Sequence, residues 1–218
     1  MSKTEKAKVY FTDFHTIAFG DGLPTKLKKL IRKAGIGSID MDGKFVAIKM
    51  HFGELGNISY LRPNYAKAVV DVIKELGGKP FLTDCNTMYP GSRKNALEHL
   101  ECAWENGFTP LTVGCPIIIG DGLKGTDDIA VPVAGGEYIK EAKIGRAVMD
   151  ADVFISLTHF KGQSKTLAWA AVPVPEKPSS TAAENHVSRN VSAAVADAAR
   201  RNVPTAVSFS MKPPEKCT

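Results

Sequence analysis

Nowhere does this 218-residue chain carry the roughly 18 consecutive apolar residues that a membrane-spanning helix requires, so no membrane partner is expected. Its first residues, MSKTEKAK, are polar and lack the apolar centre of a signal peptide. Cysteine is scarce: Cys85, Cys102, Cys115 and Cys217 are scattered, with no Cys-x-x-Cys pair. That spacing argues against a disulfide framework or a zinc site and for reduced thiols in the cytoplasm. Charge of one sign is also in short supply. The net +5 divides into an excess of two up to Gly162 and three beyond it. Neither part shows the basic stripe with interleaved aromatics that a nucleic acid partner wants. Lys26, Lys28, Lys29, Arg32 and Lys33 do cluster, but at helical spacing around Leu27, Leu30 and Ile31, as on the solvated face of an amphipathic helix. No phosphate-binding P-loop and no nucleophile elbow occur. Gly120, Gly122 and Gly125 match the dinucleotide fingerprint, yet an extended segment rather than a helix follows, so a turn is the better reading.

What is present is a globular composition, 44% hydrophobic and 23% charged, in a chain long enough to bury a core. Strand and helix signals alternate. Lys8–Phe14 reads as a strand, and Pro24 opens a helix that stops near Gly35. Phe45–Met50 reads as a buried strand. Pro63 starts a helix with Tyr65, Val69, Val70, Ile73 and Leu76 on one face. Lys79–Thr83 is a strand, and Ser92 is expected to cap a helix containing Leu97, Leu100 and Trp104. Leu111–Ile119 reads as a strand, Ile129–Val133 as an extended piece, Tyr138–Met149 as a helix and Val153–Leu157 as a strand. This alternation implies an α/β fold, a mainly parallel sheet with helices on both faces. Three strands end in polar clusters: Lys49 to Glu54, Asp84-Cys85-Asn86, and His159 to Gly162. Ligand sites in such sheets lie beyond the carboxyl ends of the strands.

The last 56 residues differ in character. All 19 glycines lie at or before Gly162, while six of the 13 prolines fall in the final 46 positions. The tail has neither isoleucine nor tyrosine and is crowded with alanine, valine and serine. The expected division is an α/β domain over 1–162 and an atypical tail over 163–218, partly helical or disordered. Within the tail, Thr181–Asn202 has a capping box and Val187, Val191, Val195 and Ala198 on one helical face.

The strings VAIKMHFGE, GNISYLRPNY, GGKPFLTDCNTMYPGSR, NALEHL, ENGF, PIIIGDGL and SLTHFKG resemble the domain-of-unknown-function family numbered 362, a likeness that covers about Lys8 to Gly162. Members of that family often continue past the HFKG motif into a glycine-rich stretch and a bacterial-type ferredoxin segment with cysteine-ligated [4Fe–4S] clusters. The resemblance therefore implies an iron–sulfur-associated, redox-linked protein with a redox partner. Cys85 stands where the family commonly has threonine or a similar polar residue, so it is not expected to be an indispensable ligand.

The missing continuation is legible in a shifted reading frame. Back-translating Lys165–Lys177 and reading from the third base of each codon permits Asn-Leu-Gly-Met-Gly-Cys-Gly-Ser-Arg-Ala-Gly-Lys, like the family's glycine-rich motif. Ser180–His186 permits His-Ser-Ser-Gly-Lys-Pro, and Arg189–Val195 permits Glu-Cys-Val-Gly-Cys-Gly, the opening of a cluster-binding segment. The next expected cysteine cannot be encoded. The expectation is a small deletion with a frameshift between Gly162 and Lys165, leaving this chain without its cluster ligands; a natural divergent tail is the alternative.

His51, Asp84 and His159 are the candidate catalytic residues, as an acid–base cluster or as ligands of a divalent metal. The competing account is that each histidine caps a strand end. Lys49, Asn86, Arg93 and Lys161 are the candidate substrate-binding residues, the three cations suiting a small anionic ligand. For Arg93 ordinary surface charge is the favoured reading, and for His99 a partly buried structural role. Three functions stay open at this point: the redox-linked domain, a metal-dependent or anion-binding small-molecule enzyme domain, and a non-catalytic scaffold. No reaction is specified.

Overall fold

The computed structural model describes residues 9–87, 91–132 and 140–159, together with the backbone of 206–211. Helix α1 (Leu23–Lys33) has proline in its first turn and Arg32 and Lys33 in its last, which suits the helix dipole, and buries Leu27 and Ile31 one turn apart. Its basic face is tied down by Lys26–Asp13, Lys28–Asp71, Lys29–Asp21 and Arg32–Glu75 ion pairs. Strand β1 (Phe45–Lys49) is followed by α2 (Pro63–Glu75), β2 (Lys79–Asp84), α3 (Ala96–Glu105), the single turn α4 (Pro110–Val113) and β3 (Ile117–Ile119). A hairpin of β4 (Asp128–Pro132) and β5 (Glu141–Gly145) leads through the short α5 (Arg146–Met149) to β6 (Val153–His159). The last strand is β7 (Ala206–Met211).

Five strands form one sheet in the order β3-β2-β1-β6-β7, and every pairing in it is parallel. The α/β class and the parallel sheet flanked by helices are as the sequence implies. Strand interiors at the centre of the sheet read as continuous apolar runs because both faces are covered: Val46, Ala47, Ile48, Leu82 and Ile155 are all buried. Helix α2 packs Ala66, Val69, Val70 and Ile73 into the same core.

From β1 the chain moves outward to β2 and β3 on one side. It then returns and enters β6 on the other side of β1. The strand order therefore reverses between β1 and β6. A crevice forms at such a point in an open parallel sheet, and ligands bind there.

Four local expectations give way. Val9–Phe14 forms no strand; Val9 and Phe11 are exposed, and their β-propensity finds no neighbouring strand to pack on. In Leu111–Ile119 only Ile117–Ile119 pairs with β2. A capping box between Thr109 and Thr112, with proline in the first turn, starts a helical turn instead. The expected helix Tyr138–Met149 is helical only from Arg146, because Glu141–Gly145 finds an antiparallel partner in β4; Tyr138 lies outside the described residues. The cap of α3 is Asn95, not Ser92: its Oδ1 accepts from the Leu97 and Glu98 amides at 3.1 and 3.0 Å. Helix Thr181–Asn202 lies outside the described residues.

Candidate functional site at the carboxyl end of the sheet

The polar cluster is built by register. Lys49 ends β1 opposite Thr83, which places Asp84 one residue further along β2. Lys49 Nζ lies 3.6 Å from Asp84 Oδ1, Arg93 Nη1 3.4 Å from Oδ2, and His99 Nε2 3.8 Å from Oδ2. The Cys85 amide donates to Asp84 Oδ1 at 3.0 Å. All four side chains are inside the protein: Lys49 is 5% exposed, Arg93 3%, Asp84 6% and His99 not at all. Burial by itself would raise the Asp84 carboxyl. The charges of Lys49, His99, His51 and Arg93 outweigh it and hold the group below the usual carboxylate range.

Arg93 joins two connections. Its Nε donates to Glu54 Oε1 at 2.9 Å and its Nη2 donates to the same oxygen, while its other arm reaches Asp84. The expected surface charge is therefore a buried clamp between the end of β2 and the loop that follows β1. That loop is fixed further along its length. Asn106 Nδ2 donates to the Phe52 carbonyl at 3.0 Å, and Phe52 packs against His99 and Phe108. The Gly53 amide donates to His51 Nδ1 at 2.8 Å. Gly53 has φ +89°, and a Cβ there would meet Asn106 Nδ2 at 2.7 Å and the Tyr60 ring at 2.8 Å, so glycine is required twice over.

His99 was expected to be partly buried and structural. It is wholly buried, beside Asp84, with neither ring nitrogen hydrogen-bonded. Burial drives its pKa down to about 4, against the opposing pull of Asp84. The usable signal lay in the spacing His99, Cys102, Ala103, the buried face of α3. The more hydrophobic face misleads, for Leu97 is 64% and Trp104 50% exposed.

Not every expected residue joins this group. His51 is half-buried and close enough to lower the Asp84 pKa. His159 closes β6, the strand beside β1, where Lys49 pairs with Ser156. The two histidines thus flank the reversal point from its two sides. Asn86 commits its donors elsewhere: its amide and Nδ2 donate to Asp121 Oδ1, both at 3.0 Å, and Nδ2 also reaches the Gly122 carbonyl at 2.8 Å. This bonding holds the Gly120–Gly125 turn, whose context the sequence had already marked as a turn. Asp121 is fully buried, and burial raises its carboxyl pKa. Lys161 and Gly162 lie outside the described residues.

Among the described residues no group of three or more histidine, cysteine, aspartate or glutamate side chains is arranged to hold a metal ion. Cys85, Cys102 and Cys115 are buried and separate, at the end of β2, on α3 and ahead of β3. Burial pushes each thiol up, Cys115 to about 11. These three residues do not fit an iron–sulfur cluster.

Comparison with known proteins places this geometry in context. The family model described as Domain of unknown function (DUF362) matches residues 46–171. A thylakoid-associated protein of Synechocystis sp. is 27% identical over 140 residues, covering 60% of this chain and 38% of that protein. The lactate racemase apoprotein from Thermoanaerobacterium thermosaccharolyticum is 10% identical, with a TM-score of 0.38, over 61% of this chain and 32% of that one. The chain thus spans only about a third of the length of each, 38% and 32%. No helix among the described residues is long and apolar enough to cross a membrane.

Proposed function

The chain belongs to the family of Domain of unknown function (DUF362); from that premise we propose that it is the ligand-holding α/β domain of a redox-linked protein, taking a small anionic molecule between the carboxyl ends of β1 and β6. The observation that carries this reading is the reversal of strand order between those two strands. Beside it lie two buried cations, Lys49 and Arg93, and a half-buried histidine, His51. Burying a lysine and an arginine is costly unless each is paired, and here Asp84 and Glu54 supply the pairing. An incoming carboxylate or phosphate would share these cations with Asp84 and Glu54, gaining charge-assisted bonds in a low-dielectric setting.

The redox part rests on the resemblance to proteins that continue into a ferredoxin segment. Electrons would reach the ligand from outside this domain, since the described cysteines offer no cluster ligands. The work of the domain is to bind and orient.

Calorimetric titration of the full chain with pyruvate, succinate and inorganic phosphate, in low-chloride buffer, tests the reading. At least one should bind saturably, and Lys49→Met should weaken it roughly tenfold or more, the loss of one charge-assisted bond. Saturable binding by none of the three would remove the anion-site reading. Iron content and visible absorbance of anaerobically purified chain form the companion measurement. A cluster found in this chain would overturn the assignment of electron transfer to groups outside the domain.

A further inference from the structure

We propose that His99 is the alternate partner of Asp84: as a neutral ring it donates from Nε2 to Asp84 Oδ2 when the Arg93 guanidinium is drawn away to a bound anion. The role deepens the anion-site reading above and rests on it. A site that turns a buried cation towards its ligand leaves a buried carboxylate behind, and an unpaired buried charge is costly. Some group must answer Asp84 while Arg93 is engaged.

Three observations point to His99. Asp84 is loosely held: the Cys85 amide donates to it at 3.0 Å, but Lys49 Nζ stands 3.6 Å from Oδ1 and Arg93 Nη1 3.4 Å from Oδ2. Both cations are beyond the usual range of about 2.7–3.2 Å. Arg93 is bonded more closely to Glu54, to which both Nε and Nη2 donate, so its arm on Asp84 is the one more easily released. His99 Nε2 lies 3.8 Å from the same Oδ2, and neither ring nitrogen has a hydrogen-bond partner. Buried polar groups are nearly always bonded, so an idle donor this close to a loosely held acceptor marks a contact made in a second state of the site. Closing the gap by about an ångström gives a bond of ordinary length.

The ring suits this part. It is wholly buried on α3 and meets the Phe52 ring in a T-shaped contact, centroids 5.8 Å apart. Asp84 and Glu54 face it with negative charge and Lys49 and Arg93 with positive, and burial settles the balance for the neutral form. Neutral imidazole has a single N–H, which the Asp84 carboxylate draws to Nε2. A neutral donor on Asp84 holds the carboxylate without adding a charge of its own, so the pull on the anion stays with Lys49 and Arg93. His99 is thus a positioning residue. It acts on Asp84, and the ligand meets the cations that Asp84 releases.

Nitrogen-15 NMR of the intact chain, labelled at histidine and held near neutral pH, reads the hand-over. His99 is identified among the five histidines by the loss of its signals in His99→Phe. Saturation with whichever of pyruvate, succinate or inorganic phosphate binds should move the His99 Nε2 proton downfield and slow its exchange, with the ring still neutral. An unchanged His99 signal at saturation would overturn the proposal and leave the anion site standing; so would a ring protonated on both nitrogens. Arg93→Met should give the same downfield shift without ligand, and Arg93→Lys, the milder change, a smaller shift of the same sign. If none of the anions binds, the site reading fails, and these ligand-free spectra decide the hand-over alone: no shift in either variant defeats it. Affinity supplies a separate check. Glutamine can donate to Asp84 and phenylalanine cannot, although phenylalanine is the closer match in shape. His99→Phe should bind the anion about tenfold more weakly, and His99→Gln within roughly threefold of wild type. Equal weakening in both, or none in His99→Phe, would reduce His99 to packing.

Discussion

The middle and the carboxyl end of the central strands are equally dry and held together by different means. Val46, Ala47 and Ile48 of β1 and Leu82 of β2 are fully buried apolar groups. One residue beyond Ile48, Lys49 is 5% exposed, and the Asp84–Arg93–His99 group beside it is as deep. In the middle of the sheet, burial is the driving force, and any side chain of the right volume contributes. At the end, burial opposes the charges, and each is retained only because a partner answers it. A fold gains little stability from such an end. Its presence at the strand reversal fits a region shaped by ligand binding.

Removing one partner is the sharpest way to break this comparison. Arg93→Ala removes a buried cation from the buried Asp84 and the half-buried Glu54 and should destabilise the domain by about 3 kcal/mol in urea unfolding. If the loss is no larger than for an exposed ion pair, the two regions do not differ as described. The next effect is on pH. His99 has a pKa near 4 in the folded protein against 6.5 when free, so the folded state binds fewer protons between those values. Its contribution is fully present above the unfolded value and is lost as pH falls through the window, by up to about 3 kcal/mol. Asp84, with its pKa held below 3.8, loses its own contribution only at lower pH, outside this window. Comparing the unfolding free energy of wild type and His99→Phe at about pH 7 and about pH 5 checks this, because the variant should lack the slope. The smallest effect belongs to the apolar middle. Ile48→Val, beside Lys49, should cost only about 1 kcal/mol and leave the pH profile unchanged.

The contrast also explains which parts of the molecule were readable in the sequence. Apolar runs at β1, β2 and β6 announced themselves, and the rule for parallel sheets pointed to Lys49, His51, Asp84 and His159 before any coordinates. Arg93 was misjudged because nothing local distinguishes a buried arginine from a surface one. Its burial depends on Glu54, 39 residues away, and on Asp84. His99 was undervalued because α3 turns its polar and small residues inward, to Phe52 and Asp84, and leaves Leu97 and Trp104 outside. Helical periodicity locates a face without saying what that face meets. The segments Val9–Phe14 and Leu111–Ile119 failed for a related reason: strand propensity needs a partner, and at Thr109 the capping box acted first.

The strand reversal has a consequence during synthesis. Strands β1, β2 and β3 are complete once residue 119 has left the ribosome, but the strand on the other side of β1 arrives only with β6, ending at His159. Lys49 and Ser156 therefore become neighbours in the sheet long after the first of them was made. A nascent chain halted between the two would have Lys49 and Asp84 but only one side of the strand reversal. The pairing of β1 with β6 forms late, and no fragment ending before β6 contains it.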